Sequence, residues 1–124
     1  MDQIKAVLSP EEIIEPTSTD YQKESQTWAA QKDLHPKLVV RPRSVESLSR
    51  LMRQLNDTDI EVAIRCGGCG SASSRGVLVS MSAFDGFEFN KEEEIVTVGA
   101  GQLWRHVDSK VEQFAPGYSG EWIQ

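Results

Sequence analysis

Hydrophobic and polar positions alternate along this chain in three distinct rhythms, and each rhythm predicts a different element. Leu38-Val39-Val40, set between Pro36 and Pro42, is a short unbroken apolar run that reads as a β-strand closed by proline. After it Val45, Leu48, Leu51, Met52 and Leu55 recur at helical spacing behind Ser44, whose hydroxyl suits the N-cap; Asn56-Asp57 ends that helix. Ile60 to Ile64 alternates as a half-buried strand does and then runs into Arg65-Cys66-Gly67-Gly68-Cys69-Gly70-Ser71.

Beyond those glycines, Val77-Leu78-Val79 predicts a third strand ending at Ser80-Met81-Ser82. Phe87 to Phe89 and Ile95 to Val98 read as a hairpin turning through Asn90-Lys91-Glu92-Glu93, where the acidic run is a solvated loop. Gly99-Ala100-Gly101 leads to a second amphipathic helix carrying Leu103, Trp104, Val107 and Val111, stopped before Pro116-Gly117. Upstream, residues 21–32 favour a helix with Tyr21 and Trp28 on related faces, and residues 1–20, with two prolines and several acids, predict a frayed arm. Three segments result: an arm over 1–20, a domain over 21–117 and a tail over 118–124. The order of elements predicts an α+β fold, a small mixed sheet with flanking helices beside an antiparallel pair.

Composition narrows the partners. A content of 39% hydrophobic and 26% charged residues is that of an ordinary globular domain, so 124 residues make one core. Net charge is −6 and the basic residues are scattered, which argues against nucleic acid. No run approaches the roughly 20 apolar residues of a membrane span. The opening Met-Asp-Gln-Ile-Lys lacks the basic and long apolar regions of a secretory signal, so a cytoplasmic location is expected.

Cys66 and Cys69 stand as Cys-x-x-Cys, but a zinc site needs two further ligands, and His35 and His106 stand alone and far apart. No metal site is expected. A thioredoxin-like centre needs a strand opening directly into a helix, and glycines and serines follow here instead. The glycines themselves allow backbone N–H groups to converge on an anion, with Ser71, Ser73 and Ser74 as further donors; a diphosphate is the natural guest. The run is neither a G-x-G-x-x-G fingerprint ahead of a helix nor a Walker loop closed by Lys-Ser or Lys-Thr, and a plain tight turn is the alternative.

Several of these motifs agree in order and spacing with one family. Pro36 to Pro42, the Ser44 to Leu55 helix, Ile64 to Gly70, the strand to Ser82, and Val96 to Gly101 with the helix after it together resemble the first half of the FAD-binding (PCMH-type) domain of vanillyl-alcohol-oxidase and berberine-bridge-like oxidoreductases. The resemblance implies FAD as cofactor, with Cys66, Gly67, Gly68, Cys69, Gly70 and Ser71 wrapping its pyrophosphate and Met81 and Ser82 beside the flavin. It further implies a fragment or small subunit of an FAD-linked oxidoreductase of secondary metabolism. Cys69 falls where many berberine-bridge-like members carry the histidine bonded to the flavin 8α carbon, so noncovalent flavin or none is expected.

Family members continue with a second glycine-rich segment and a substrate domain, and no catalytic residue is assigned among these 124. A flavin held by one loop would stay open to water with nothing to hold substrate against N5, so a complementary subunit or a homodimer is the expected partner. The alternative is a non-flavin descendant serving as a binding, scaffold or cyclase/isomerase-like protein. His35, His106, Asp85, Asp108 and Glu112 read as packed or solvated side chains, and Trp104, Phe84, Phe87, Phe89 and Phe114 as core. Trp122, in the tail, suggests a contact outside the chain.

Overall fold

The computed structural model of the protein describes residues 1–67 and 72–116. Its centre is two strands, β2 (Leu38–Val40) and β4 (Val77–Ser80), with all seven residues buried and all but Ser80 apolar. Continuous apolar runs belong to strands covered on both faces, and here both faces are covered. On one side Leu38, Val40, Val77 and Val79 pack against Leu51 and Leu55 of α3 (Val45–Asn56) and against Ile4 and Leu8. On the other, Val39 and Leu78 meet Ile14, Tyr21 and Ala63.

The main sheet has the order β1-β2-β4-β3, with β1 (Ile13–Ile14) antiparallel to β2, and with β2 and β3 (Val62–Arg65) both parallel to β4. A hairpin of β5 (Phe87–Asn90) and β6 (Ile95–Val98) forms a separate pair, and α4 (Trp104–Phe114) lies against it. This is the expected small mixed sheet with helices and an adjacent antiparallel pair. Ser44 caps α3 as expected, its hydroxyl accepting the N–H of Ser47 at 3.1 Å, and the helix ends at Asn56.

Three expectations give way. Residues 1–20 do not fray: they form α1 (Asp2–Lys5), a 3₁₀ turn at Pro10–Glu12 and β1, and they bury Ile4, Leu8 and Ile14. The predicted helix over 21–32 stops early, as α2 (Tyr21–Ser25), because Gln26 is extended and the Thr27 hydroxyl donates to the carbonyl of Ala29 at 2.5 Å, an alternative to the helical ladder. Trp28 is consequently 87% exposed. The aromatic residues lie outside the main core: Trp104 is exposed, while Phe114 stacks on Phe89 and Phe87, 5.1 and 6.2 Å between ring centres, as a satellite between hairpin and α4.

Candidate flavin site

Ligands of open parallel sheets bind beyond the carboxyl ends of the strands, and one open cavity of this chain lies there. Its volume is about 410 Å³. Arg65, Cys66 and Gly67 form one wall where β3 ends; Ser80 and Ser82 form the floor where β4 ends. Gly101, Gln102 and Leu103, ahead of α4, continue the lining, with Leu103 packed beside Gly67, and His106 and Lys110 from the helix and Lys23 and Glu24 of α2 complete it.

The walls are locked together by backbone. Met81 donates its N–H to the Arg65 carbonyl at 2.9 Å, and the N–H of Gly101 reaches the Phe84 carbonyl at 2.8 Å. Gly101 approaches so closely that a Cβ there would lie 2.0 Å from the Met81 carbonyl oxygen. The glycine is therefore a requirement of the fold at this corner, where the hairpin subdomain meets the sheet. Gln102 continues the seam by donating Nε2 to the Asp85 carbonyl at 2.5 Å.

Of the residues read from the sequence as cofactor-binding, Cys66, Gly67 and Ser82 line this cavity, and the Cys66 thiol is exposed and free. Met81 contributes its backbone to the corner while its partly buried side chain packs on the main core. Gly68, Cys69, Gly70 and Ser71 lie outside the described residues. Ser73 and Ser74, offered as anion donors, have other work: Ser73 accepts the N–H of Leu34 at 3.0 Å, and buried Ser74 donates to the Glu61 carbonyl at 2.9 Å. They brace the exit of the loop.

Sequence reasoning passed over Lys23, Glu24, Gln102 and Lys110, and it read His106 as a bland packed or surface group, although it borders the cavity. The one local signal was Arg65, a cation abutting the glycines. Lys23, Arg65 and Lys110 outnumber Glu24 and Asp85 around the cavity, a balance suited to an anionic guest. Cationic groups, glycine at the wall and an open concavity at the strand ends fit the diphosphate of a dinucleotide. Among the described residues no three His, Cys, Asp or Glu side chains cluster as a metal would need.

The profile described as FAD binding domain matches residues 36–119, and the chain belongs to that family. A curated relative, the FAD-dependent monooxygenase macF of Penicillium terrestre, is 32% identical over 111 residues, which cover 84% of this chain and 21% of that protein. The fold is shared with 6-hydroxy-D-nicotine oxidase of Arthrobacter nicotinovorans at a TM-score of 0.78 and 16% identity, over 87% of this chain and 25% of that one. Xylooligosaccharide oxidase of Myceliophthora thermophila gives 0.76 and 17%, over 90% and 24%. The resemblance read from the motifs is thus borne out, and FAD is the cofactor of the family. The chain spans about one fifth of the length of the curated relatives it matches. No helix among the described residues is long and apolar enough to cross a membrane.

Proposed function

We propose that this chain supplies the diphosphate-gripping part of a flavin site in an FAD-linked oxidoreductase of cytoplasmic secondary metabolism, and that a further polypeptide segment or a second chain supplies the substrate side. The observation that carries the reading is the cavity at the carboxyl ends of β3 and β4, lined by Arg65, Cys66, Gly67 and Gly101. In this reading Gly68, Cys69, Gly70 and Ser71 continue the Cys66-Gly67 wall around the diphosphate, and Met81 and Ser82 lie beside the flavin. FAD supplies the redox chemistry when bound; the chain's own residues bind the nucleotide and exclude water from one side of it.

Titration of the purified chain with FAD, followed by quenching of flavin fluorescence, tests this directly. Saturable quenching that competes with ADP, and flavin released by acid precipitation, is the expected result. Flavin that stays with the precipitated protein would instead make Cys69 or Cys66 a covalent attachment point. An unchanged flavin spectrum together with a melting temperature indifferent to excess FAD would remove the reading.

A second reading is a non-flavin descendant that uses the half-domain as a binding or scaffold unit, paired with a copy of itself. Cysteine at position 69, and the exposed apolar side chains Val62 and Ile64 on β3, favour it. A stable dimer by light scattering, with no response to FAD, is its signature; a monomer that binds FAD excludes it.

A further inference from the structure

We infer that Glu24 is a positioning residue for the flavin site, holding the Ser82 hydroxyl at the cavity floor so that it can donate a hydrogen bond to a nucleotide oxygen; this rests on the flavin reading above. Glu24 belongs to α2, far in sequence from any cofactor motif, yet its side chain is only 13% exposed because the ends of three strands converge on it. From β4, Ser80 donates to Oε2 at 2.8 Å. From just beyond, the Ser82 hydroxyl lies 3.3 Å from Oε2 and 3.4 Å from Oε1. Past the end of β2, Arg41 brings Nε to 4.0 Å from Oε1, a nitrogen that is buried without a hydrogen-bond partner. At the end of β3, Arg65 Nη1 donates to the Glu24 carbonyl at 2.8 Å.

Proton counting separates the two serines. Each hydroxyl has one proton to give. Ser80 commits its proton to Glu24 in a short, charge-assisted bond, and its oxygen accepts the Ser82 N–H at 3.3 Å. The Ser82 hydroxyl lies 3.0 Å from the Ser80 hydroxyl and makes two long contacts to the same carboxylate, so its one proton is divided among three acceptors and is the one free to turn elsewhere. Ser82 lines the cavity, and a phosphate or flavin carbonyl oxygen arriving there can accept a hydrogen bond from that hydroxyl while Ser80 keeps Glu24 engaged. Glu24, itself in the cavity lining, thus fixes the approach of Ser82, and through its carbonyl also the Arg65 guanidinium.

Charge and positioning predict opposite signs for one substitution, which makes the inference testable in the full chain. Removing a negative charge beside a dianionic diphosphate would tighten FAD binding by simple electrostatics. If Glu24 acts by orienting Ser82, Glu24→Gln weakens it about tenfold, because the amide nitrogen turns the hydroxyl dipoles around. The measurement is FAD affinity by fluorescence quenching for wild type, Glu24→Gln, Ser82→Ala and the double variant, with melts in the absence of FAD to establish folding. The expected pattern is weakening in each single variant and no further weakening in the double, the signature of two residues acting as one unit. Glu24→Asp, which keeps the charge but withdraws it by one methylene, also weakens binding and serves where the glutamine variant fails to fold. Tighter or unchanged binding in Glu24→Gln, or fully additive losses, overturns the inference while leaving the flavin reading intact. Wild-type chain that ignores FAD removes both.

Discussion

Ser47, in the first turn of α3, donates its hydroxyl to Oε1 of Glu12 at 3.1 Å, tying the N-terminal segment to a helix 35 residues further on. The Glu12 carboxylate is buried, and it also accepts the N–H of Ser9 at 3.0 Å, the Ser9 hydroxyl at 3.0 Å and the N–H of Arg43 at 2.7 Å. Burial pushes its pKa up, but the donors from Ser9, Arg43 and Ser47 outweigh that and hold it below the ordinary 4.5. A carboxylate depressed in the folded state stabilises fully above its unfolded value, and that contribution disappears as pH falls from 4.5 through the folded value. Glu12→Gln should therefore flatten part of the acid limb of a stability-against-pH curve while costing about 1–3 kcal/mol at neutral pH. An acid limb identical to wild type would show that the network contributes nothing to it.

The corner at Gly101 separates steric need from mere flexibility. Gly101→Ala places a methyl group against the Met81 carbonyl and should cost about 1–3 kcal/mol, with FAD affinity falling as the cavity wall shifts. Gly86, in the same subdomain, has nothing within 4 Å of an added Cβ, so Gly86→Ala should be neutral or stabilising by about 0.4–1 kcal/mol. Thermal melts of the two variants side by side decide; equal effects would contradict the close approach.

Ile4 is fully buried against the same cluster as Leu51. Ile4→Ala should therefore cost about 2–5 kcal/mol in urea denaturation, the range for a core aliphatic residue, and not the few tenths typical of a loose arm.

Tyr21 pins α2 to the approach of β2 by donating its hydroxyl to the Pro36 carbonyl at 2.6 Å. Tyr21→Phe should cost about 1 kcal/mol by chemical denaturation. Burial chiefly, with the nearby Asp33 carboxylate, raises the phenol above its ordinary 10.0 despite a weaker opposing pull from Ser25. A raised folded value means stability complete below 10.0 and lost as pH rises from there through the folded value, so the phenylalanine variant should lose less stability than wild type in strong alkali.

What could be read from the sequence was whatever a local window contains. The Ser44 cap and the Leu48, Leu51, Leu55 stripe specify α3 by themselves, and Leu38 to Val40 announces a buried strand. Ile4, Leu8 and Ile14 lie in apolar patches of only one to three residues, and their burial depends on Ile13 pairing with Val40 and on α3 closing over them, relations that no window spans. Trp28 misled for the converse reason: helical spacing continued past Gln26, but no surface waits to receive it. In the site, Cys66, Gly67 and Ser82 were legible through the order of motifs. Glu24 was not, because in sequence it resembles any surface carboxylate, and only the meeting of positions 41, 65, 80 and 82 sets it apart.

Strand β3 bounds the main sheet among the described residues, and on it Val62 and Ile64 are 36% and 49% exposed. Such a rim can template cross-β growth, and only the charges of Glu61 and Arg65 at its two ends act as gatekeepers. Aggregation in concentrated stocks is thus expected to begin at β3, and Ile64→Lys should raise the concentration at which solutions stay clear by turbidity.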